Sequence, residues 1–216
     1  MNTFTEENYL KTIYHCSLNC KSVSTNQIAA AISTRAASVT DMLKKLADKQ
    51  LINYAKYQGV TLTEAGEKIA LKIIRKHRLW EYFLVEKLNF KWDEVHDMAE
   101  ELEHISSVEL INRLDEFMEY PQYDPHGDPI PDSSGRLKCQ QLKQVSALTV
   151  KQAGIIAGVG DHSPAFLQYL ERSSLTLGTY ITVAEIADYD HSVTLKIADK
   201  QINISRDVAK NLLIAV

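Results

Sequence analysis

The chain has 216 residues, 45% hydrophobic and 24% charged, with a formal net charge of −4. That length can bury a sizeable core in one large domain or two to three small ones, and the balanced composition excludes a disordered or fibrous chain. No run of ~18 apolar residues and no charged-then-apolar start occurs, so neither a membrane span nor a signal peptide is expected.

Charge is unevenly spread. Residues 1–75 hold ten Lys/Arg against six Asp/Glu, a surplus of +4. Residues 76–140 hold seven against fifteen, a deficit of −8, and residues 141–216 balance at seven each. A basic front suits phosphate and an acidic middle suits cations. These boundaries also mark three expected domains, 1–75, 76–140 and 141–216. The three cysteines, Cys16, Cys20 and Cys139, form no Cys-x-x-Cys pair. So sparse a set predicts free thiols in a reducing cytoplasm, with Cys16 and Cys20 on one helix face as small buried thiols.

In chain order, residues 4–18 carry Leu10, Ile13, Tyr14 and Leu18 at helical spacing, with Glu6 and Glu7 in the first turn where the helix dipole favours acids. Ser24-Thr-Asn-Gln27 is a capping box opening a short helix whose Ile28, Ala31 and Ile32 would face inward. Ser33-Thr34 interrupts it. A new helix near Arg35 places Val39, Met42, Leu43 and Leu46 on one face. Its other face offers Arg35, Ser38, Thr40, Asp41, Lys44 and Lys45. Two short helices across a tight turn, the second bearing small polar and basic residues, predict a helix-turn-helix with its recognition helix in the major groove. The strand-like stretches 51–57 and 60–63 follow as a hairpin, placed to serve as a wing whose Lys56 and Tyr57 could reach phosphate or the minor groove.

Thr63-Glu-Ala-Gly66 starts a long helix to about Leu88, with more apolar positions than one stripe needs. Two further helices are expected over 93–105, capped by Asp93, and 107–119, opened by the capping box Ser106-Ser-Val-Glu109. The excess of apolar faces in this helical unit suits self-association. In the first of these helices, His96, Glu100, Glu103 and His104 fall at i, i+4, i+7 and i+8, opposite Val95, Met98, Ala99 and Leu102. Upstream, His77 and Glu81 stand at i, i+4. Charged helical faces are commonly just solvated, but imidazole and carboxylate converging without thiolate is the ligand mix of a divalent cation such as Zn, Fe or Mn.

The stretch Asp124-Pro-His-Gly-Asp-Pro-Ile-Pro is loop-forming, and 132–136 continues as a linker. From about Leu142, alternating segments at 145–150, 178–183, 192–197 and 201–204, with one helical piece at 164–172, predict a small five-stranded SH3-like barrel. The fold class is thus mainly α with β: an N-terminal winged helix-turn-helix, a helical metal-binding and dimerisation domain, and a C-terminal barrel.

This order of parts, with R-K-H-R-L-W-E at 75–81, V-H-D-M-A-E-E-L-E-H at 95–104 and the D-P-H-G-D-P-I-P loop, resembles the diphtheria-toxin-repressor family across about residues 4–216. The resemblance implies a metal-dependent transcriptional regulator of manganese or iron homeostasis, not an enzyme, with a FeoA-type terminal barrel. It implies a primary metal site of Asn8, Glu100, Glu103 and His104. It implies an ancillary site of His77, Glu81 and His96 with a barrel residue, Asp161 or His162, and with Asp124 at a loop position that is Cys in some members. Iron-type members place Cys at Glu100 and Met at Asn8, so Glu100 leans toward Mn(II) over Fe(II), with Zn(II), Co(II) or Ni(II) as ions accepted in vitro. Lys11 replaces a Glu of the small two-domain manganese sensors, which argues against their dinuclear site. Arg35, Ser38, Thr40 and Asp41 would meet bases, while Lys44, Lys45 and Lys56 would meet phosphates. The implied partners are double-stranded operator DNA and a second copy of the chain, with neither a membrane nor a small organic substrate.

Two other readings of the whole chain compete, and a third makes the terminal barrel an interaction module for proline-rich partners. A winged-helix regulator with a non-metal effector would bind DNA regardless of chelator. A metallohydrolase would need an H-E-x-x-H motif or a separate general base, and neither is present.

Overall fold

The computed structural model describes residues 3–18, 20–55, 59–138 and 140–215. They form two compact units, Met1–His77 with Leu102–Glu109 and Pro131–Arg136, and Arg78–Glu101 with Leu110–Ile130 and Leu137–Val216.

In the first unit, Thr3 caps α1 (Phe4–Ser17) through a capping box with Glu6. The same Glu6 carboxylate accepts Lys49 Nζ at 2.7 Å on both oxygens, which fastens the start of α1 to the end of α3 (Ala36–Asp48). Ser24 caps α2 (Thr25–Ala31) through the expected box with Gln27. This helix is shorter than its apolar pattern implies. Ile28 is buried, but Ala31 is exposed and Ile32, half-buried, ends the helix instead of extending its inner face. Ser33 turns the chain at φ 50. On α3, Val39, Leu43 and Leu46 are buried and Met42 is half-buried. β1 (Ile52–Ala55) and β2 (Gly59–Leu62) pair antiparallel from Ile52↔Leu62 to Ala55↔Gly59. Lys56 and Tyr57, expected at the wing tip, lie outside the described residues. Cys20 lies past the end of α1, and both it and Cys16 are half-buried, so they do not share a helix face as expected.

α4 (Glu64–Leu88) follows. Gly66 is required there because a Cβ would come within 1.9 Å of the Leu51 carbonyl oxygen. α5 (His96–Leu102) and α6 (Val108–Phe117) complete the helical set. Leu79, Ile111, Leu114, Met118 and Ile130 form a small core flanked by Trp80, Tyr82 and Phe83. Val108 and Phe117 on α6 are exposed. Among the described residues no helix is long and apolar enough to cross a membrane.

The C-terminal part is a six-stranded antiparallel sheet ordered β3-β8-β4-β5-β6-β7. Its strands are β3 (Lys143–Gln144), β4 (Ala153–Val159), β5 (Tyr180–Ile186), β6 (Val193–Ile197), β7 (Lys200–Ile204) and β8 (Leu212–Ala215). The expected five-stranded barrel is therefore an SH3-like sheet of six strands, with no pairing between β3 and β7 among the described residues. The expected strand at 145–150 is a 3-10 turn, Val145–Ala147. α7 (Pro164–Arg172) matches its expected span, while α8 (Arg206–Asn211) and strands β4 and β8 were not foreseen. Ile156, Val159, Ile181, Val183, Leu195, Leu212 and Ile214 fill the core under this sheet.

Candidate metal centres and DNA-facing surface

The helix carrying the candidate ligands is shorter than expected. α5 begins at His96, and the Asp93 carboxylate accepts Gln168 Nε2 at 2.8 Å instead of capping it. It ends at Leu102, so Glu103 and His104 lie in the following turn. The four residues therefore do not share one helix face. His96 and Glu100 remain on α5 half-exposed, their Nε2 and Oε1 3.8 Å apart, whereas the Glu103 side chain is fully buried.

Within the first unit, the 103–104 turn meets α1. Lys11 Nζ donates to both Glu103 oxygens at 2.8 Å, and His77 Nδ1 stands 2.7 Å from Oε2. His77, expected to act with Glu81, also touches Glu103. His104 Nδ1 lies 2.9 Å from Glu7 Oε2, and its ring stacks on Phe4 at 4.5 Å. A carboxylate at Nδ1 holds that proton and leaves the Nε2 lone pair for a cation, the usual outer-shell arrangement of a ligating imidazole. Between Glu7 and Lys11 on α1, the Asn8 side-chain oxygen is buried with no hydrogen-bond partner. A buried carbonyl oxygen without a donor is costly unless something positive meets it. The donor set fits a divalent cation on that observation. Glu7 and Lys11 were missed as site residues, although their spacing beside Asn8 was the available signal.

In the second unit, Glu81 on α4 is buried, with Oε1 3.5 Å from His96 Nδ1 and Oε2 3.6 Å from His126 Nδ1. Donor atoms of Glu81, Asp124 and His126 all lie within 4.8 Å of one another. The 124–130 loop builds this cluster. Asp124 Oδ1 accepts the amides of His126 and Asp128 at 2.8 and 2.9 Å, while Arg78 donates to Asp128 and to the Pro129 carbonyl. His126 Nε2 meets the Trp92 carbonyl at 2.8 Å, and its buried Nδ1 has no hydrogen-bond partner. His126 was not foreseen as a site residue. Its signal was the imidazole inside a Pro/Gly-dense loop. Of the barrel candidates, His162 stacks on the His126 ring at 4.7 Å, and Asp161 Oδ1 accepts the Ser163 amide at 2.8 Å, outside the Glu81 cluster.

Burial opposes the charged ring of His126, but Glu81, just beyond hydrogen-bonding range, together with Asp124 and the Trp92 carbonyl, pushes it up to about 9. Complete burial, reinforced by Asp128 and Glu81, pushes Asp124 up to about 7. Both values exceed those of the free side chains, so the folded state holds these protons more tightly. The His126 contribution is complete below its ordinary 6.5 and disappears as pH rises through about 9, and Asp124 acts in the same direction as pH rises through about 7. Thermal melting in chelator is expected to show stability falling from pH 6.5 to 9.5, with Glu81→Gln flattening the upper part of that slope. An unchanged slope in the variant would contradict the assignment of His126.

Family models cover nearly the whole chain: the iron-dependent repressor N-terminal DNA-binding domain over 1–60, its metal-binding and dimerisation domain over 63–132, and the FeoA domain over 143–216. An HTH-type transcriptional regulator of Methanocaldococcus jannaschii is 39% identical over 52% of this chain and 91% of its own. The chain belongs to the diphtheria-toxin-repressor family. IdeR of Mycobacterium tuberculosis is 32% identical over 59% of this chain and 55% of its own. The chain matches about half the length of IdeR, and 19% of a probable metal transport system membrane protein of Chlamydia trachomatis. Among solved structures, a manganese-dependent transcriptional repressor in complex with manganese superposes with a TM-score of 0.89, at 32% identity over 97% of this chain and 98% of its own. ScaR with bound Zn2+ gives 0.81 at 33% identity, over 97% and 98%. This is a family of DNA-binding repressors rather than enzymes.

On the face of α3 away from the core, Arg35, Ser38, Asp41, Lys44 and Lys45 are exposed. The Thr40 hydroxyl is turned back, donating to the Ala36 carbonyl at 3.0 Å. Lys44 is paired with Asp41 at 3.2 Å on the open surface, a contact that a phosphate can replace at little cost.

Proposed function

We propose that this chain is a metal-dependent repressor of manganese or iron homeostasis that binds double-stranded operator DNA as a homodimer. The observation carrying this reading is the meeting of α1 with the 103–104 turn, where Asn8 offers a buried, partnerless oxygen beside Glu7 and Lys11. Asn8, Glu103 and His104, with Glu100 by family motif, are the primary ligands. Glu81 anchors the ancillary centre, with His77, His96, Asp124 and His126 as its other donors. Asp161 and His162 stand behind these.

Bound there, Mn(II) or Fe(II) supplies the positive charge that draws neutral and anionic oxygens and an imidazole together. Zn(II), Co(II) and Ni(II) suit the same donors in vitro. Glu7 orients His104, and Phe4 covers its ring against water. Because Asn8 sits on the first helix of the winged-helix domain, fixing it biases that domain toward the geometry two half-sites demand, about 34 Å apart or a multiple. Arg35, Ser38, Thr40 and Asp41 address base edges, while Lys44, Lys45 and Lys56 hold phosphates. Exposed Val108, Leu110 and Phe117 on α6 suit the apolar face of a homodimer.

Equilibrium dialysis against Mn(II) tests the assignment. Two ions per chain are expected, with His104→Ala and Glu81→Ala each losing a different one. Binding of none would favour a winged-helix regulator with a non-metal effector.

A further inference from the structure

Glu103 is a fully buried carboxylate whose two oxygens both accept from a protein donor. Lys11 Nζ sits astride them at 2.8 Å from each, and His77 Nδ1 takes a further position on Oε2. The lysine side chain is itself only 11% exposed. A long, flexible side chain immobilised this deeply is unusual for lysine, which normally keeps its ammonium in water. Its ammonium occupies the region in front of the carboxylate that an incoming cation needs. Asn8, three residues earlier on the same helix, supplies no charge to offset the ammonium.

We propose that Lys11 is the resident counter-cation of the Glu103 centre and sets the metal concentration at which that centre fills. This rests on the metal-dependent reading above. Without metal, Lys11 satisfies Glu103 and keeps the turn folded against α1. With metal, the ammonium must leave the carboxylate oxygens, so part of the ion's affinity is spent on displacing it. The centre therefore responds to a higher metal level than its carboxylate and imidazole donors alone would set. Lys11 is a positioning and threshold residue, not a ligand.

The test uses the full chain stripped with chelator, with Mn(II) alone as titrant in calorimetry and thermal melting with and without Mn(II). Lys11→Met keeps the length and removes the charge. It is expected to melt below wild type without metal, to bind Mn(II) at the His104-dependent centre roughly tenfold more tightly, and to gain more from added metal. Lys11→Arg keeps the charge and is expected to bind no more tightly than wild type. A merely structural lysine would lower melting equally with and without metal and leave the Kd unchanged, and either result overturns the proposal. Should Lys11→Met not fold, Lys11→Gln carries the same comparison. A wild-type chain with no His104-dependent Mn(II) binding would sink the metal reading, and this proposal with it. Wild-type binding with an unaltered Kd in the lysine variants would sink this proposal alone.

Discussion

Glu103→Gln is expected to abolish metal-dependent DNA binding and to destabilise the metal-free protein by about 3 kcal/mol. The substitution keeps the side chain's shape and removes only its charge. Lys11, largely buried, then loses the carboxylate charge 2.8 Å from its ammonium, and His77 loses the charge on its 2.7 Å partner. Breaking one side of a buried pair leaves the other charge uncompensated, which is why the effect exceeds that of a surface pair. Urea unfolding in chelator reads the destabilisation, and dialysis against Mn(II) reads the loss of the ion on which DNA binding depends. Wild-type stability together with wild-type Mn(II) binding would show that Glu103 is neither buried counter-ion nor ligand.

Gly127→Ala is expected to destabilise by about 4 kcal/mol, a large value for adding one methyl group. Gly127 sits at φ +88, where L side chains are strained. An added Cβ would also lie 2.1 Å from the Ala157 carbonyl oxygen and 2.5 Å from the Gly158 Cα. Both are backbone atoms, and the neighbouring Val159 amide is bonded to the His126 carbonyl at 3.0 Å, so the strand cannot retreat alone. Movement of the loop shifts His126 away from Glu81. One Mn(II) per chain should therefore be lost with the His104-dependent one retained. Denaturant melts and dialysis on the same preparation check both, and a variant matching wild type in each would refute the close approach.

The winged helix was legible because local chemistry marked its boundaries. Ser24 and Gln27 close the predicted capping box, and Val39, Leu43 and Leu46 repeat at the helical period. The ligand stretch was legible in composition but not in shape. Period alone extends the helix through His104, because no Gly or Pro after Leu102 announces its end, whereas tertiary contacts of Glu103 with Lys11 and His77 draw the chain into a turn. His126 escaped because its meaning lies in Glu81, distant in sequence. Strands β4 and β8 escaped for a different reason. Ala153-Gly-Ile-Ile-Ala-Gly-Val carries glycines and a continuous apolar run instead of an alternating pattern, and Leu212-Leu-Ile-Ala is too short to separate from a helix end.

In the proposed mechanism, metal at the α1–turn junction switches DNA binding. Fluorescence anisotropy of a labelled duplex from upstream of a metal-uptake gene tests it most directly, with Mn(II), with anaerobic Fe(II), and with chelator, for wild type and His104→Ala. Tight binding that requires metal and is lost in His104→Ala is the predicted result, and the two metal curves rank the ions. Binding equally tight in chelator and in His104→Ala would contradict the account and transfer the switch to a non-metal effector.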